Sequence, residues 1–230
     1  LFLRLERLSA QSLSAGEAGC WFLSGGPLSG IGGNILAQKE IHPPLYYWLL
    51  NFVRAAGGDS ELILRLPSAL FSFASIPLLY LLGAHILPKK MAVLATLLMT
   101  VSAFVVSLSQ EARMYSLGMF LLLASCYALW RWQEDRRWLH AVLYILATAC
   151  ALYTHYFSLL VWLGQIFFIL IQKETYRGFF WKWLAGEAVI AALFAPQVPA
   201  FLTQLKFGSA AAMPAAVGWG SLLSIFREMS

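Results

Sequence analysis

Six residues, Gln110-Glu111-Ala112-Arg113-Met114-Tyr115, separate two uncharged stretches, 91–109 (MAVLATLLMTVSAFVVSLS) and 116–130 (SLGMFLLLASCYALW). A carboxylate and a guanidinium between apolar runs of this kind are costly in a bilayer unless something uses them. Glu111 and Tyr115 are four apart and share a face where the chain is helical. That face opens the first turn of the following helix, where free N–H groups and the helix dipole favour an anion. Two readings fit these residues alone. Glu111 is held for chemistry at a membrane mouth, or it caps the helix while Arg113 snorkels to the interface. The rest of the chain weighs toward the first.

The elements that must position these residues follow from composition. Of the 230 residues, 60% are hydrophobic and only 12% charged, and mean hydropathy is +0.70. A soluble domain of this size cannot hide that much apolar surface, so the expected fold class is all-α, a polytopic helical membrane protein. Apolar run length predicts six spans, 62–86, 91–109, 116–131, 139–155, 157–172 and 183–203,. The first would be about 37 Å long at 1.5 Å per residue, and Pro67 and Pro77 permit it to bend. Leu1 in place of a Met and the unclosed end at Ser230 predict an internal fragment, one transmembrane domain over 1–230. Within it, 6–61 is an outer loop with interfacial helices, 62–203 the spans, and 204–230 the start of a further outer loop.

Basic residues set the orientation. Lys89 and Lys90, then Arg131, Arg136 and Arg137, then Lys173, Arg177 and Lys182 fall in alternate loops, which places those loops in the cytoplasm. Residues 6–61, the Gln110–Tyr115 segment, the turn Tyr153-Thr154-His155-Tyr156 and the chain after 203 then share the opposite side. In the first outer segment, 6–24 is predicted helical, 25–33 (GGPLSGIGG) breaks it, and His42-Pro43-Pro44 opens a short helix that lies in the interface. Gly57-Gly58-Asp59-Ser60 is the turn before the long span. The net charge of +5 suits loops at an anionic leaflet. It is spread over short loops and not on one face, which excludes a nucleic-acid partner. Cys20, Cys126 and Cys150 lack metal or disulfide spacing and read as small core residues.

Several outer residues have types suited to an anionic ligand. Arg65 and Arg113 carry guanidinium forks that match phosphate oxygens. Arg65 also fits a snorkelling side chain or a partner of Asp59 or Glu61. His42 precedes two prolines, so its backbone is extended and rigid. His155 ends an outward-going span between Tyr153 and Tyr156, where it reaches a phosphate, orients Glu111, or simply meets a helix C-terminus. Glu17 is either a reactive carboxylate or a solvated loop charge. His85 and His140 lie at the cytoplasmic ends and read as structural. Glu187, one turn inside a span, is expected to pair with a loop Lys or Arg.

In order, the chain runs Gln11-Ser12-Leu13 with Glu17-Ala18, His42-Pro43-Pro44-Leu45-Tyr46-Tyr47, Leu64-Arg65-Leu66-Pro67-Ser68-Ala69-Leu70, Ser109-Gln110-Glu111-Ala112-Arg113-Met114-Tyr115 and Tyr153-Thr154-His155-Tyr156-Phe157. From about Leu3 to Phe201 it resembles the polyprenyl-phosphate-sugar-dependent glycosyltransferases of the GT-C type. The resemblance is to those grouped with protein O-mannosyltransferases and lipid A aminoarabinose transferases, glycosyltransferase families 39 and 83. It implies a GT-C-like bundle with a helical first outer loop, multi-pass in a bacterial inner (plasma) membrane, with its active face extracytoplasmic and further spans beyond these. The implied donor is a polyprenyl-phosphate-linked sugar, and the acceptor a glycan, lipid or protein. An acceptor hydroxyl attacks the anomeric carbon with inversion and polyprenyl phosphate leaves. That chemistry needs a carboxylate as general base, positive charge at the leaving phosphate and an apolar groove for the lipid.

The resemblance also implies residue roles. The first outer loop of such enzymes carries an Asp-Glu pair whose Asp acts as base; that pair falls here on Gly16-Glu17, so the Asp is missing and Glu17 is the stand-in. Glu111 matches a second acidic position that holds the acceptor, positions the sugar or binds a divalent cation (Mg or Mn). The catalytic expectation is therefore Glu17 and Glu111, with His42, Arg65, Arg113, Tyr115 and His155 as the substrate-binding set. Gly16 keeps open an inactive relative that binds the lipid-linked phosphate sugar. A lipid-linked sugar transporter or flippase is the other alternative, and it requires broken helices in related halves with charges at mid-membrane depth.

Overall fold

A computed structural model describes residues 2–6, 8–172 and 177–211, and every regular element among them is a helix. The mouth end is built from α1 (Phe2–Leu5), α2 (Ala15–Leu23), α3 (Leu28–Ala37) and α4 (Leu45–Gly57). The bundle consists of α5 (Glu61–Ile86), α6 (Lys89–Val101), α7 (Ala103–Ser109), α8 (Tyr115–Asp135), α9 (Trp138–Leu152), α10 (Ser158–Ile171), α11 (Arg177–Phe194) and α12 (Val198–Ala211). This is an all-α membrane protein. Lys173 and residues 212–230 lie outside the described residues.

Among the described residues, two or three helices are long and apolar enough to cross a membrane. By length and composition α5 crosses a membrane, as does the run Arg177–Phe207, and α6 with α7 makes a third if counted together. Apolar α9 and α10 are shorter, at 15 and 14 residues. The predicted span 91–109 is broken at Ser102, where α6 and α7 diverge by 57°. Ser102 leaves the helical region and its hydroxyl caps the N–H of Val105, an option that serine always offers the backbone. The predicted span 183–203 is interrupted by a 3₁₀ turn at Ala195–Gln197, where Pro196 has no N–H to continue the ladder.

Buried Arg4 tends the break. Its Nε donates to Ser72 Oγ (2.8 Å) and its Nη1 to the Thr100 carbonyl (3.3 Å). That carbonyl belongs to the last turn of α6, where helix carbonyls lack partners and favour a cation.

The first outer segment is less helical and then more helical than expected. Helix α2 begins only at Ala15, set by Ser14. The Ser14 hydroxyl caps Glu17 N–H and the Glu17 carboxylate returns to Ser14 N–H, a complete capping box,. The glycine-rich stretch breaks the helix as expected at 25–27, but its remainder is helical, because α3 runs through Gly30, Gly32 and Gly33. Ile31 and Ile35 on one face of α3 are fully buried in a core with Tyr46, Tyr47 and Leu50 of α4, Leu64 of α5, and Met114 and Leu117. That burial outweighs the glycine penalty of about 1 kcal/mol per residue.

A second core joins α8, α9, α10 and α11 around Trp132, Tyr144, Ile169, Phe179 and Trp183. Gly186 lets α11 approach: a Cβ there would be 3.1 Å from the Trp132 ring. Next to it, Glu187 does not pair with a loop cation. Its carboxylate accepts from the Tyr144 hydroxyl (2.7 Å) and the Trp162 indole N–H (2.6 Å). Glu187→Ala would orphan the buried Tyr144 hydroxyl and the partly buried Trp162 indole and is expected to lower stability by about 2–4 kcal/mol, read as a fall in the midpoint of thermal unfolding in detergent. An unchanged midpoint would show that water replaces the carboxylate.

At the end away from the mouth, Arg131 bridges Glu134 (3.0 Å) and Asp135 (3.3 Å), and Asp135 also meets His140 (2.9 Å). The basic residues of this end are therefore partly neutralised among themselves, and His85 stands 3.7 Å from Glu134.

Candidate functional site

Three non-helical segments converge at the mouth: 8–14 before α2, 38–44 before α4, and 110–114 between α7 and α8. The turn 153–157 between α9 and α10 joins them through the Leu45 N–H, which donates to the Tyr153 carbonyl (3.0 Å). From α12, Gln204 Nε2 donates to the carbonyls of Glu40 (2.8 Å) and His42 (3.0 Å), while its Oε1 accepts from Tyr156. This clamp fixes the His-Pro-Pro segment. Neither Gln204 nor Glu40 was legible as a site residue, because a lone amide 164 residues away carries no sequence signal.

Glu17 is neither solvated nor free. It is 2% exposed, and each carboxylate oxygen accepts two hydrogen bonds. Oε1 takes Arg65 Nε (2.7 Å) and Ala112 N–H (2.9 Å). Oε2 takes Arg65 Nη2 and Ser14 N–H, both at 2.9 Å. Burial pushes this carboxyl up, but the Arg65 guanidinium and the two backbone N–H groups outweigh it and hold the group down at about 2,.

Arg65 is equally occupied. Besides Glu17 it donates from Nη1 to the carbonyls of Leu8 (2.6 Å) and Gln11 (2.9 Å), and from Nη2 to that of Ser12 (3.2 Å). No N–H of its fork is left for a phosphate. It does not pair with Asp59, which bonds Arg54 and Trp21, and it is buried, so it does not snorkel to the surface.

Glu111 differs. It lies in the bend before α8, whose first residue is Tyr115, so it does not occupy that helix's first turn. It lines a cavity of about 690 Å³ with Glu6, Gln11, Ser14, Glu17 and Arg65. Its carboxylate makes no side-chain hydrogen bond among the described residues, and its field reaches Arg65. Among the described residues no three His, Cys, Asp or Glu side chains gather as a metal-binding set. Of the other two carboxylates on this cavity, Glu6 and Glu17, Glu17 has each oxygen engaged by two donors, which leaves too few open oxygens here for a hard divalent cation.

Arg113, Tyr115, His42 and His155 form a second group. Arg113 Nη2 donates to the Tyr115 hydroxyl (3.2 Å), and its guanidinium carbon lies 5.4 Å from the centre of the Tyr115 ring. The His155 ring is 6.2 Å from that of Tyr115 and 5.1 Å from that of His42. Nδ1 of His155 accepts the Phe157 N–H (3.1 Å), which leaves Nε2 as the donor of the neutral ring. Burial, then the neighbouring His42 and Arg113 charges, lower the His155 pKa to about 4. It is therefore neutral near pH 7, a hydrogen-bond donor without net charge. His42 Nδ1 pairs with Glu40.

Among the described residues, Arg113 Nε is buried without a partner and no carboxylate bonds this guanidinium. The first turn of α2 lies directly against it: a Cβ on Gly16 would be 2.0 Å from Arg113 Nη1. The seven residues expected to act together are thus sorted into a closed pair, Glu17–Arg65, a free carboxylate, Glu111, and a cationic cluster around Arg113.

Residues 41–199 match the model of the protein family described as dolichyl-phosphate-mannose-protein mannosyltransferase. No curated protein and no solved structure matches the chain.

Proposed function

Because the chain belongs to the dolichyl-phosphate-mannose-protein mannosyltransferase family, a family of membrane glycosyltransferases, we propose that it transfers a sugar from a polyprenyl-phosphate donor to an acceptor hydroxyl. We place the reaction at the extracytoplasmic mouth of a bacterial inner membrane. The observation that carries this reading is Glu111, a carboxylate on the cavity that makes no side-chain hydrogen bond among the described residues, while Glu17 on the same cavity is saturated. In this reading Glu111 takes the proton of the acceptor hydroxyl. The acceptor oxygen forms a bond to the anomeric carbon, the bond from that carbon to the phosphate oxygen breaks, and polyprenyl phosphate leaves with the electron pair. Arg113 compensates the charge that develops on the phosphate, with the Tyr115 hydroxyl and the neutral His155 as further donors and His42 beside them.

Glu17 and Arg65 support the mouth instead of reacting. A carboxyl held at about 2 is a weak base, and every lone pair is engaged. The transporter reading has less support, since among the described residues one helix pair is broken and no related second pair accompanies it. A second reading, a lipid-phosphate binder without transferase activity, is favoured by one observation, the Arg113 guanidinium in the space a side chain at position 16 would need.

Membranes carrying the protein, supplied with a radiolabelled polyprenyl-phosphate sugar, separate the two. Transfer of label to an acceptor that is lost in Glu111→Gln supports the enzyme. Retention of labelled lipid with no transfer by the native chain supports the binder.

A further inference from the structure

A carboxylate with no hydrogen bond keeps its lone pairs for an incoming proton, but it gives up the fastening that a hydrogen bond supplies. Glu111 is in that position, so its place on the cavity is set through its backbone. That backbone is pinned on both sides. After Glu111, the Ala112 N–H donates to Glu17 Oε1 (2.9 Å) and the Arg113 N–H to the Glu111 carbonyl (2.8 Å). Before it, the fastening is a side chain. Gln110 Nε2 donates to the carbonyls of Leu3 (3.0 Å) and Glu6 (3.1 Å). Both carbonyls lie at the end of α1, where helix carbonyls lack partners within the helix, and one amide nitrogen carries the two N–H groups that meet them.

This contact spans the cavity. Leu3, Glu6 and Leu8 line it from the chain around α1, and Val106, Ser107 and Glu111 line it from α7 and the bend that follows. Gln110 joins the two sides. The same short helix α1 is fastened at the other end of α7, where Arg4 donates to the Thr100 carbonyl just before the break at Ser102. One contact at each end therefore fixes the course that α7 takes after its 57° bend, and Glu111 is two residues beyond its last residue, Ser109.

We propose that Gln110 is a positioning residue for the transfer: by tying the end of α7 to α1 it holds the Glu111 carboxylate where the acceptor hydroxyl meets it. The proposal rests on the reading of Glu111 as the base and goes beyond it in naming what aims that base. A neutral amide does this without setting a charge beside Glu111, whereas a lysine in its place would pair with the carboxylate and weaken it as a base.

The test is the kinetics of sugar transfer in membranes carrying the full chain, with the labelled polyprenyl-phosphate sugar. The native chain is compared with Gln110→Met, Glu111→Gln and the double variant. Methionine keeps the length of the side chain and removes both donors. Gln110→Met should lower kcat on the order of tenfold to a hundredfold, the cost of misplacing a reacting group by about 1 Å. Donor KM and the midpoint of thermal unfolding should stay near their native values. In the Glu111→Gln background the same change should lower the rate less than about twofold, since no base is left to aim. A residue that only stabilises the fold would lower the midpoint and repeat its loss in that background. The proposal is overturned by a native kcat in Gln110→Met, by a loss that falls on donor KM instead, or by a loss undiminished without Glu111. A native kcat in Gln110→Met beside an inactive Glu111→Gln removes the proposal and leaves Glu111 as the base. Native transfer by Glu111→Gln removes the base, and the proposal with it, as does a native chain that transfers no sugar.

Discussion

Arg65→Ala is expected to lower stability by about 3–5 kcal/mol, because it leaves the Glu17 carboxylate buried and uncompensated. The cost is high because the pair does more than bond itself. Arg65 holds the carbonyls of Leu8, Gln11 and Ser12, and Glu17 holds the N–H groups of Ser14 and Ala112. One contact thereby ties the 8–14 segment, α2, α5 and the 110–114 bend. Arg65→Lys should rescue little, since three donors on one nitrogen cannot replace a five-donor fork. Glu17→Gln should cost about as much as Arg65→Ala, because an amide presents N–H toward a donor. Unfolding in detergent measures the loss, and limited proteolysis should cut the 8–14 segment first in each variant. A native-like midpoint for Arg65→Ala would show that water enters and solvates Glu17.

The same pair sets an acid limit. The Glu17 carboxyl ionises near 4.5 when unfolded and near 2 when folded. A depressed folded pKa means stabilisation that is complete above about 4.5 and is lost as pH falls through about 2. The window is worth on the order of 3 kcal/mol. In Glu17→Gln the fall in unfolding midpoint between pH 5 and 2 should be smaller than in the native protein.

Glu111→Gln is expected to reduce sugar transfer by about 10²–10⁴-fold, the usual contribution of a positioned general base. Its carboxylate has no hydrogen bond among the described residues, so the amide should fold as the native chain does. Donor binding should also survive, because the phosphate cluster at Arg113 is built from other side chains. The expected signature is therefore a fall in kcat with KM for the donor little changed. Equal transfer by Glu111→Gln would remove Glu111 as the base. Unchanged kcat with a raised KM would make it a binding group instead.

Much of the scaffold was legible in the sequence. Apolar runs located α5, α8, α9 and α10 to within a few residues, since a helix in lipid must be apolar over its length and turns gather the charges. The capping box at Ser14 and Glu17 also has a local spacing, yet the helix expected over 6–24 overran it. The failures have a common cause. The break at Ser102, the helix through Gly30, Gly32 and Gly33, and the 3₁₀ turn at Ala195–Gln197 were each decided by a partner distant in sequence or by a single backbone group. Arg4 reaches Thr100 across the fold, and Ile31 and Ile35 bury on α4.

Sequence alone determined that this is a helical membrane protein of the glycosyltransferase kind, with its acids, guanidinia and imidazoles gathered near one set of loops. Composition suffices for the membrane helices, and the resemblance of five motifs in order implies the glycosyltransferase kind, because burial in lipid and motif order are one-dimensional properties. Only the tertiary structure decided which groups are already engaged. Glu17 and Glu111 are both acids, and Arg65 and Arg113 both guanidinia, yet one of each is closed into a buried pair and the other left open. The reason is geometric. Four hydrogen bonds to one carboxylate require Ser14, Arg65 and Ala112, up to 95 residues away from Glu17, to meet at a single point.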